Sequence, residues 1–268
     1  IEKLIKYEAV HDIRSWADLK NRLDSDRRCY GFFHPRLPGE PLIFVEVALM
    51  GEISESITPL LDESAAPADL AKATTAIFYS ISNTQAGLRG VSFGDSLIKH
   101  VVETLTAEFP RLRTFATLSP IPGLRAWLSK NGAEQLGRLD EKRLAELGRA
   151  VGFEPPQIAH LIAAADKALE LPEKSPVRQW LMQCAARYLG RELHEGKPLD
   201  PVARFHLGNG ARVERLNWAG DPSAKGMKQS FGIMVNYLYD LKRIDKHRDL
   251  LAQERVPVSG DIDSLCRD

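Results

Sequence analysis

The sequence predicts a mixed α/β fold carrying a helical insertion, and three observations support this. Short runs rich in β-branched and aromatic residues recur along most of the chain, most of them bounded by Gly, Pro or Asn. Between them lie stretches with apolar residues at helical spacing. From Asn131 to Asp200 the strand signal disappears while the helical signal continues.

Taken in order, strands are expected at Cys29–Phe33, Leu42–Leu49, Thr75–Ile81, Arg113–Leu118, Ala211–Trp218 and Ile233–Tyr239. Helices are expected at Ser15–Leu23, Asp95–Glu108 and Gly123–Lys130. The stretch SAAPADLAKA, 64–73, reads as a capped helix start. Within the insertion, helices are expected at Glu141–Ala150, Pro155–Leu169 and Pro176–Leu193, the last with Ser175 as N-cap and Pro176 at its first position. The basic run KRIDKHRDLL, 242–251, alternates in sign and reads as a solvated helix face. The pattern implies a single domain over 1–268, its insertion spanning about residues 131–205 between two strands of one sheet.

A chain of 268 residues can bury a sizeable core. Lys plus Arg and Asp plus Glu are 36 each, so no net field recruits nucleic acid or an anionic membrane, and any anion site must be local. No apolar run reaches membrane-spanning length and no signal-peptide pattern opens the chain, so a cytoplasmic protein is expected. Cys29, Cys184 and Cys266 form no C-x-x-C pair, which argues against a zinc ribbon and a disulfide framework. The sequence opens on Ile1 rather than methionine, which suggests an upstream region.

The stretch TQAGLRGVSFGDSLIKHVV, 84–102, sets Gly87, Gly90 and Gly94 ahead of an apolar-periodic helix. The first turn of a helix leaves backbone donors unpaired and carries positive partial charge, so such a loop suits an anion. The spacing fits neither a Walker loop nor a dinucleotide fingerprint, and a strand-to-helix turn that binds nothing stays open. In TFATLSPIPGLRAWL, Pro120 and Pro122 lack ladder donors, which leaves Ser119 where the strand must quit its sheet, as a site residue or as a turn residue. In LDPVARFHLGNG, Asp200 reads as N-cap and Pro201 as the first helical residue, so His206 falls in the last turn. Carbonyls there favour a protonated imidazole, either as a proton donor or as a simple cap. Tyr237 and Tyr239 share one strand face, which is commonly core, and the other histidines show no metal-ligand spacing.

Together the blocks HPRLPGEPLIFVEVALMGEIS, AIFYSISNTQAGLRGVSFG, LIKHVVETLTAEFPRL, TLSPIPGLRAWL, FHLGNGARVERLNW and GIMVNYLYDL, in this order from about Tyr7 to about Leu241, resemble the malonyl-CoA decarboxylase family. The resemblance implies a GNAT-like (acyl-CoA N-acyltransferase) fold, a malonyl-CoA substrate and no metal or organic cofactor. It also implies a homo-oligomer and, in complete members, an all-helical N-terminal domain that is not part of this sequence. Carried over, the catalytic serine falls on Ser119 and the catalytic histidine on His206, with supporting positions at Ser80 and Tyr239. The CoA pyrophosphate loop falls on Arg89, Gly90, Val91, Ser92, Phe93, Gly94 and Asp95. Animal members carry glutamate where this chain has Ser92, so either another carboxylate replaces it or this chain does without. An acyltransferase passing an acyl group to an amine, or a non-catalytic CoA-sensing module, are the competing readings.

Overall fold

The computed structural model describes residues 2–85, 87 and 94–267, with the backbone alone for 94–96. These residues form two compact units, one of residues up to 119 with 236–244, the other of 120–235 with the residues from 245 onward.

The first unit opens on two short helices, α1 (Glu2–Tyr7) and α2 (Trp16–Asn21). Ser15 caps α2, its hydroxyl accepting from Asp18 N at 2.9 Å. Three strands follow, β1 (Arg27–Phe33), β2 (Pro41–Met50) and β3 (Thr75–Asn83), where the alternating and continuous apolar runs lead one to expect them. They pair antiparallel, with Arg27 opposite Ala48 and Met50 opposite Thr75, and the β2–β3 register shifts between Glu46 and Val47. Every residue of β2 from Ile43 to Leu49 is buried, so this strand is covered on both faces.

The helix expected within 64–73 is only a 3-10 turn, Leu70–Lys72, with the Asp69 carboxylate accepting from Ala71 N. The reason is length: Thr74 N already donates to Met50 O at 2.9 Å, so the sheet claims the chain before a full helical turn can form. Helix α3 (Gly94–Glu108) buries Leu97, Ile98, Val101, Val102 and Leu105, one stripe at helical spacing, and leads into β4 (Thr114–Thr117), parallel to β3.

The two-residue β5 (Ser119–Pro120) carries the chain out of the first unit. In the second unit, α4 (Leu124–Gly137) runs past the expected end at Lys130, because Gly132 lets a neighbouring helix approach: a Cβ there would meet Ile158 Cδ1 at 2.2 Å. Then come α5 (Glu141–Val151), α6 (Ile158–Ala165) and α7 (Pro176–Gly190), with α6 starting only after Pro155 and Pro156. The Trp127 ring of α4 lies 5.2 Å from that of Tyr188 on α7. The expectation of an all-helical stretch needs one correction. Leu193–His194 (β6) and Lys197–Pro198 (β7) form a minimal hairpin around Glu195 and Gly196, both at positive φ, 50° and 73°.

Helix α8 (Pro201–Gly208) is capped as expected by the Asp200 carboxylate, which accepts from Val202 N and Ala203 N. Strand β8 (Arg212–Asn217) follows, then α9 (Ala224–Ser230) and β9 (Met234–Leu238), which re-enters the first unit at Asn236. Beyond it α10 (Ile244–Ala252) and α11 (Gly260–Cys266) close the chain, and Val258, between them, bridges Val213 of β8 in parallel. On α10 most of the basic run faces solvent as expected, but His247 is buried. In the first unit the sheet order is β1-β2-β3-β4-β9, with Ala116 of β4 opposite Leu238 of β9 in antiparallel sense.

A charged cluster sits inside the first unit. Arg22, fully buried, donates from Nε to Asp18 Oδ1 at 2.7 Å and from NH1 to Glu46 Oε2 at 3.3 Å, and both carboxylates are likewise sealed from solvent. Burial, then the negative charge of Glu8, pushes the Glu46 carboxyl up to about 8. Its folded-state value lies above the unfolded one, so its contribution is fully present below the ordinary carboxylate range and is lost as pH rises through about 8. The unfolding midpoint of the wild type therefore falls between pH 6 and pH 9, and Glu46→Gln flattens that fall; parallel slopes for the two proteins in thermal melts would count against this origin. Glycine substitutions give a second check. A Cβ on Gly226 would lie 2.3 Å from the Asp221 carbonyl oxygen, whereas one on Gly137 meets nothing within 4 Å. Gly226→Ala is expected to cost about 1–3 kcal/mol of overpacking strain, and Gly137→Ala to be neutral or to stabilise by up to about 1 kcal/mol, both read from denaturant midpoints.

Candidate active site

The parallel ladder between β3 and β4 ends at the pair Phe78 and Thr117, closed by Leu118 N donating to Phe78 O at 3.0 Å. Past that point β3 runs on against β2 to Asn83, while the other chain turns through Ser119 into Pro120, which has no N–H to continue a ladder. Ser80 and Ser119 each follow the last registered pair by two residues, so both lie where the two strands part company.

Ser119 is buried, and its hydroxyl donates to Thr117 Oγ1 at 2.8 Å. The same Thr117 oxygen accepts Tyr237 N at 3.1 Å, a side chain thus serving where a backbone carbonyl would close the ladder with β9. Asn236 Nδ2 donates to Thr117 O at 2.7 Å and to Ser54 O at 3.0 Å, tying the end of β4 to β9 and to the loop after β2. Sequence reading missed Thr117 and the bracing role of Asn236. The available signal was Thr117-x-Ser119, which puts two hydroxyls on one strand face. Tyr239 directly follows β9, its N donating to Phe115 O at 2.9 Å and its ring edge-on to Phe78 with centroids 6.4 Å apart. Burial drives its phenol well above the ordinary range, so it stays neutral.

Ser80, on the free-running end of β3, meets a carboxylate. Its Oγ lies 2.8 Å from each oxygen of Glu8, which follows α1, and 3.3 Å from Ser82 Oγ. Glu8 has no motif around it and escaped the sequence reading altogether.

His206 belongs to the second unit, in the last turn of α8 as expected. Its carbonyl accepts from Asn209 N and from Ala211 N, both at 3.1 Å, and its ring is edge-on to Phe205. The carbonyl of Gly210, at φ 84°, accepts from Nδ1 of buried His247 at 2.9 Å, so α10 pins the turn that follows the histidine. The expected charge of His206 requires correction. The ring is 4% exposed, and burial lowers its pKa to about 3, so desolvation outweighs the helix-end carbonyls and the imidazole is neutral at pH 7.

Of the expected anion loop, Arg89, Gly90, Val91, Ser92 and Phe93 lie outside the described residues, and Gly94 and Asp95 form the backbone start of α3. Among the described residues no group of three or more His, Cys, Asp or Glu is arranged to hold a metal ion, and no helix is long and apolar enough to cross a membrane.

The chain as a whole is similar to known proteins. The mitochondrial malonyl-CoA decarboxylase of Anser anser anser is 41% identical over 251 residues, covering 90% of this chain and 50% of that protein. The solved malonyl-CoA decarboxylase of Cupriavidus metallidurans is 50% identical, with a TM-score of 0.85 over 98% of this chain and 63% of that one. The GNAT-like decarboxylase GphF, solved with isobutyryl-CoA, is 16% identical with a TM-score of 0.50, over 89% of this chain and 93% of its own, a likeness of fold. The mixed sheet with its helices is accordingly GNAT-like. The chain spans about half the length of the curated relatives it matches. The model of the malonyl-CoA decarboxylase C-terminal domain matches residues 1–268, and the chain belongs to that family.

Proposed function

We propose that this chain is the catalytic part of a malonyl-CoA decarboxylase, converting malonyl-CoA to acetyl-CoA and CO2. The observation that carries the reading is the family match over 1–268, strengthened by the positions of Ser80 and Ser119 where β3 and β4 diverge. Within it, 1–268 is one catalytic domain whose helical insertion spans about residues 131–205. Arg89 to Asp95 hold the CoA pyrophosphate through backbone donors and the start of α3. The protein is a cytoplasmic homo-oligomer, joined in its complete form by an all-helical N-terminal domain.

The chemistry needs no bound cofactor, because the thioester carbonyl accepts the electron pair that CO2 leaves behind. The C–C bond to the carboxylate breaks, an enolate forms, and one proton from solvent ends on the α-carbon. Ser119 donates a hydrogen bond to the departing carboxylate or to the thioester; its proton rests on Thr117 in the free protein and must swing to do so. A donor aimed at the developing charge is worth roughly a hundred- to a thousandfold in rate. His206 delivers the proton. As a neutral ring it must first take one up, and the negative charge of substrate carboxylate or enolate raises its basicity for the purpose.

The direct test mixes the protein with malonyl-CoA in the absence of any amine. Release of acetyl-CoA and CO2 supports the reading, whereas no turnover without an amine, and acyl transfer when one is added, replaces it by an acyltransferase. His206→Asn should lower kcat by about a hundred- to ten-thousandfold with CoA affinity nearly unchanged. Retention of more than a tenth of wild-type turnover at saturating malonyl-CoA removes the histidine from the mechanism. Because burial keeps the free histidine neutral, kcat/KM should show no limb from its protonation between pH 5.5 and 7.5; a limb near 6.5 that vanishes in His206→Asn contradicts the buried, neutral assignment.

A further inference from the structure

Glu8 lies far in sequence from every block that carries the family resemblance to a site residue, yet its carboxylate meets Ser80. We propose that Glu8 is a positioning residue that fixes the Ser80 hydroxyl as a hydrogen-bond acceptor toward bound acyl-CoA, an inference that rests on the decarboxylase reading above.

The geometry is that of one proton committed inward. Ser80 Oγ is 2.8 Å from both Glu8 oxygens, and a hydroxyl has a single proton, so what Ser80 presents to any further partner is its lone pairs. Glu8 is held in turn. Its Oε1 accepts from Val10 N at 2.8 Å and His11 N at 2.9 Å, and its own N–H ends α1 by donating to Leu4 O at 2.9 Å. Ser82 Oγ accepts from Ala9 N at 3.1 Å and lies 3.4 Å from Glu8 Oε2, so the segment after α1 is fastened across β3 at two alternate residues. The contacts to the Glu8 side chain are donations into it, the pattern an acceptor-only carboxylate requires. Ser80 and Ser82 are buried, so the arrangement is shielded from competing water.

The consequence for chemistry is a division of labour between the two serines. A hydroxyl whose proton is taken cannot stabilise an enolate oxygen, which needs a donor. Ser80 is matched instead to an N–H, and the donors an acyl-CoA carries nearest its thioester are the amides of its pantetheine arm. The Glu8 carboxylate therefore does not make Ser80 a proton donor to substrate; it makes it a fixed acceptor that sets where the thioester lies.

The test compares steady-state kinetics of wild type, Glu8→Gln, Ser80→Ala and the double variant on malonyl-CoA and on an S-ethyl malonyl thioester, which lacks amides. Glutamine keeps the shape but replaces one charged acceptor oxygen by an N–H that donates to Ser80, so the hydroxyl proton is no longer held inward by a carboxylate. The expected result is a KM for malonyl-CoA raised about tenfold in Glu8→Gln, the scale of one neutral hydrogen bond lost, with a smaller fall in kcat. The double variant should be no worse than Ser80→Ala, and the amide-free thioester should show no Glu8→Gln penalty in kcat/KM. An unchanged KM, additive losses in the double variant, or an equal penalty on the amide-free thioester overturns the proposal. If Glu8→Gln does not fold, Ser80→Ala decides, a KM rise confined to malonyl-CoA supporting the proposal and its absence overturning it. Failure of the wild type to release CO2 from malonyl-CoA would sink the decarboxylase reading instead, and binding of acetyl-CoA to the same variants by calorimetry would then judge the acceptor role by the same fold-changes.

Discussion

The first unit depends on the place where the parallel ladder of β3 and β4 stops. A parallel pair cannot be continued through Pro120, and Thr117 is already the last residue with a registered partner on β3. Everything nearby responds to that end. The Thr117 hydroxyl takes over as acceptor for β9, Asn236 reaches across to two carbonyls, and Tyr239 lays its ring against Phe78, the other half of the final pair. Backbone groups left over at a strand end must be satisfied or wetted. Here side chains satisfy them, and so the opening between the strands stays defined rather than fraying.

Buried ionisable groups in both units are given partners or kept neutral. In the first, carboxylates are brought inside and given partners: Glu8 receives backbone and hydroxyl donors, and Asp18 and Glu46 share Arg22. Breaking such a buried set by removing one member leaves the other uncompensated and is costly, although the set as a whole adds little over an apolar core. In the second unit the ionisable group of interest, His206, is buried and stays neutral. Glu46, held up at about 8, and His206, held down at about 3, are both uncharged at pH 7.

Much of the fold was legible because local patterns and tertiary demands agreed. The strands of the sheet and the cap of α8 by Asp200 sit where period, β-branching and capping chemistry put them. The departures came where a contact distant in sequence decided a local outcome. The helix expected to end at Lys130 continues through Gly132, which leaves the room that Ile158 needs. Asp69 starts a helix that the sheet cuts short at Thr74. Ser119, Ser80, Tyr239 and His206 are proposed for function through short blocks whose order resembles the family's. Glu8 and Thr117 are not reached that way, because their importance lies in which residues they touch. The charge of His206 was misread for a related reason: position along a helix is visible in sequence, but burial of the ring is not.

Neither compact unit is contiguous along the chain, and this bears on how the protein can be made. The first unit lacks its β9 strand until residues 236–244 have been synthesised, after all of 120–235 has emerged. Bringing that strand to β4 closes a long loop, whose entropy cost grows only with the logarithm of its length and falls once the intervening helices have formed. During synthesis the edge of β4 therefore waits exposed, while the helical stretch, rich in local contacts, is positioned to fold first. The strand that braces Thr117 is among the last parts of the sheet to arrive, so the surroundings of Ser119 are completed late in folding.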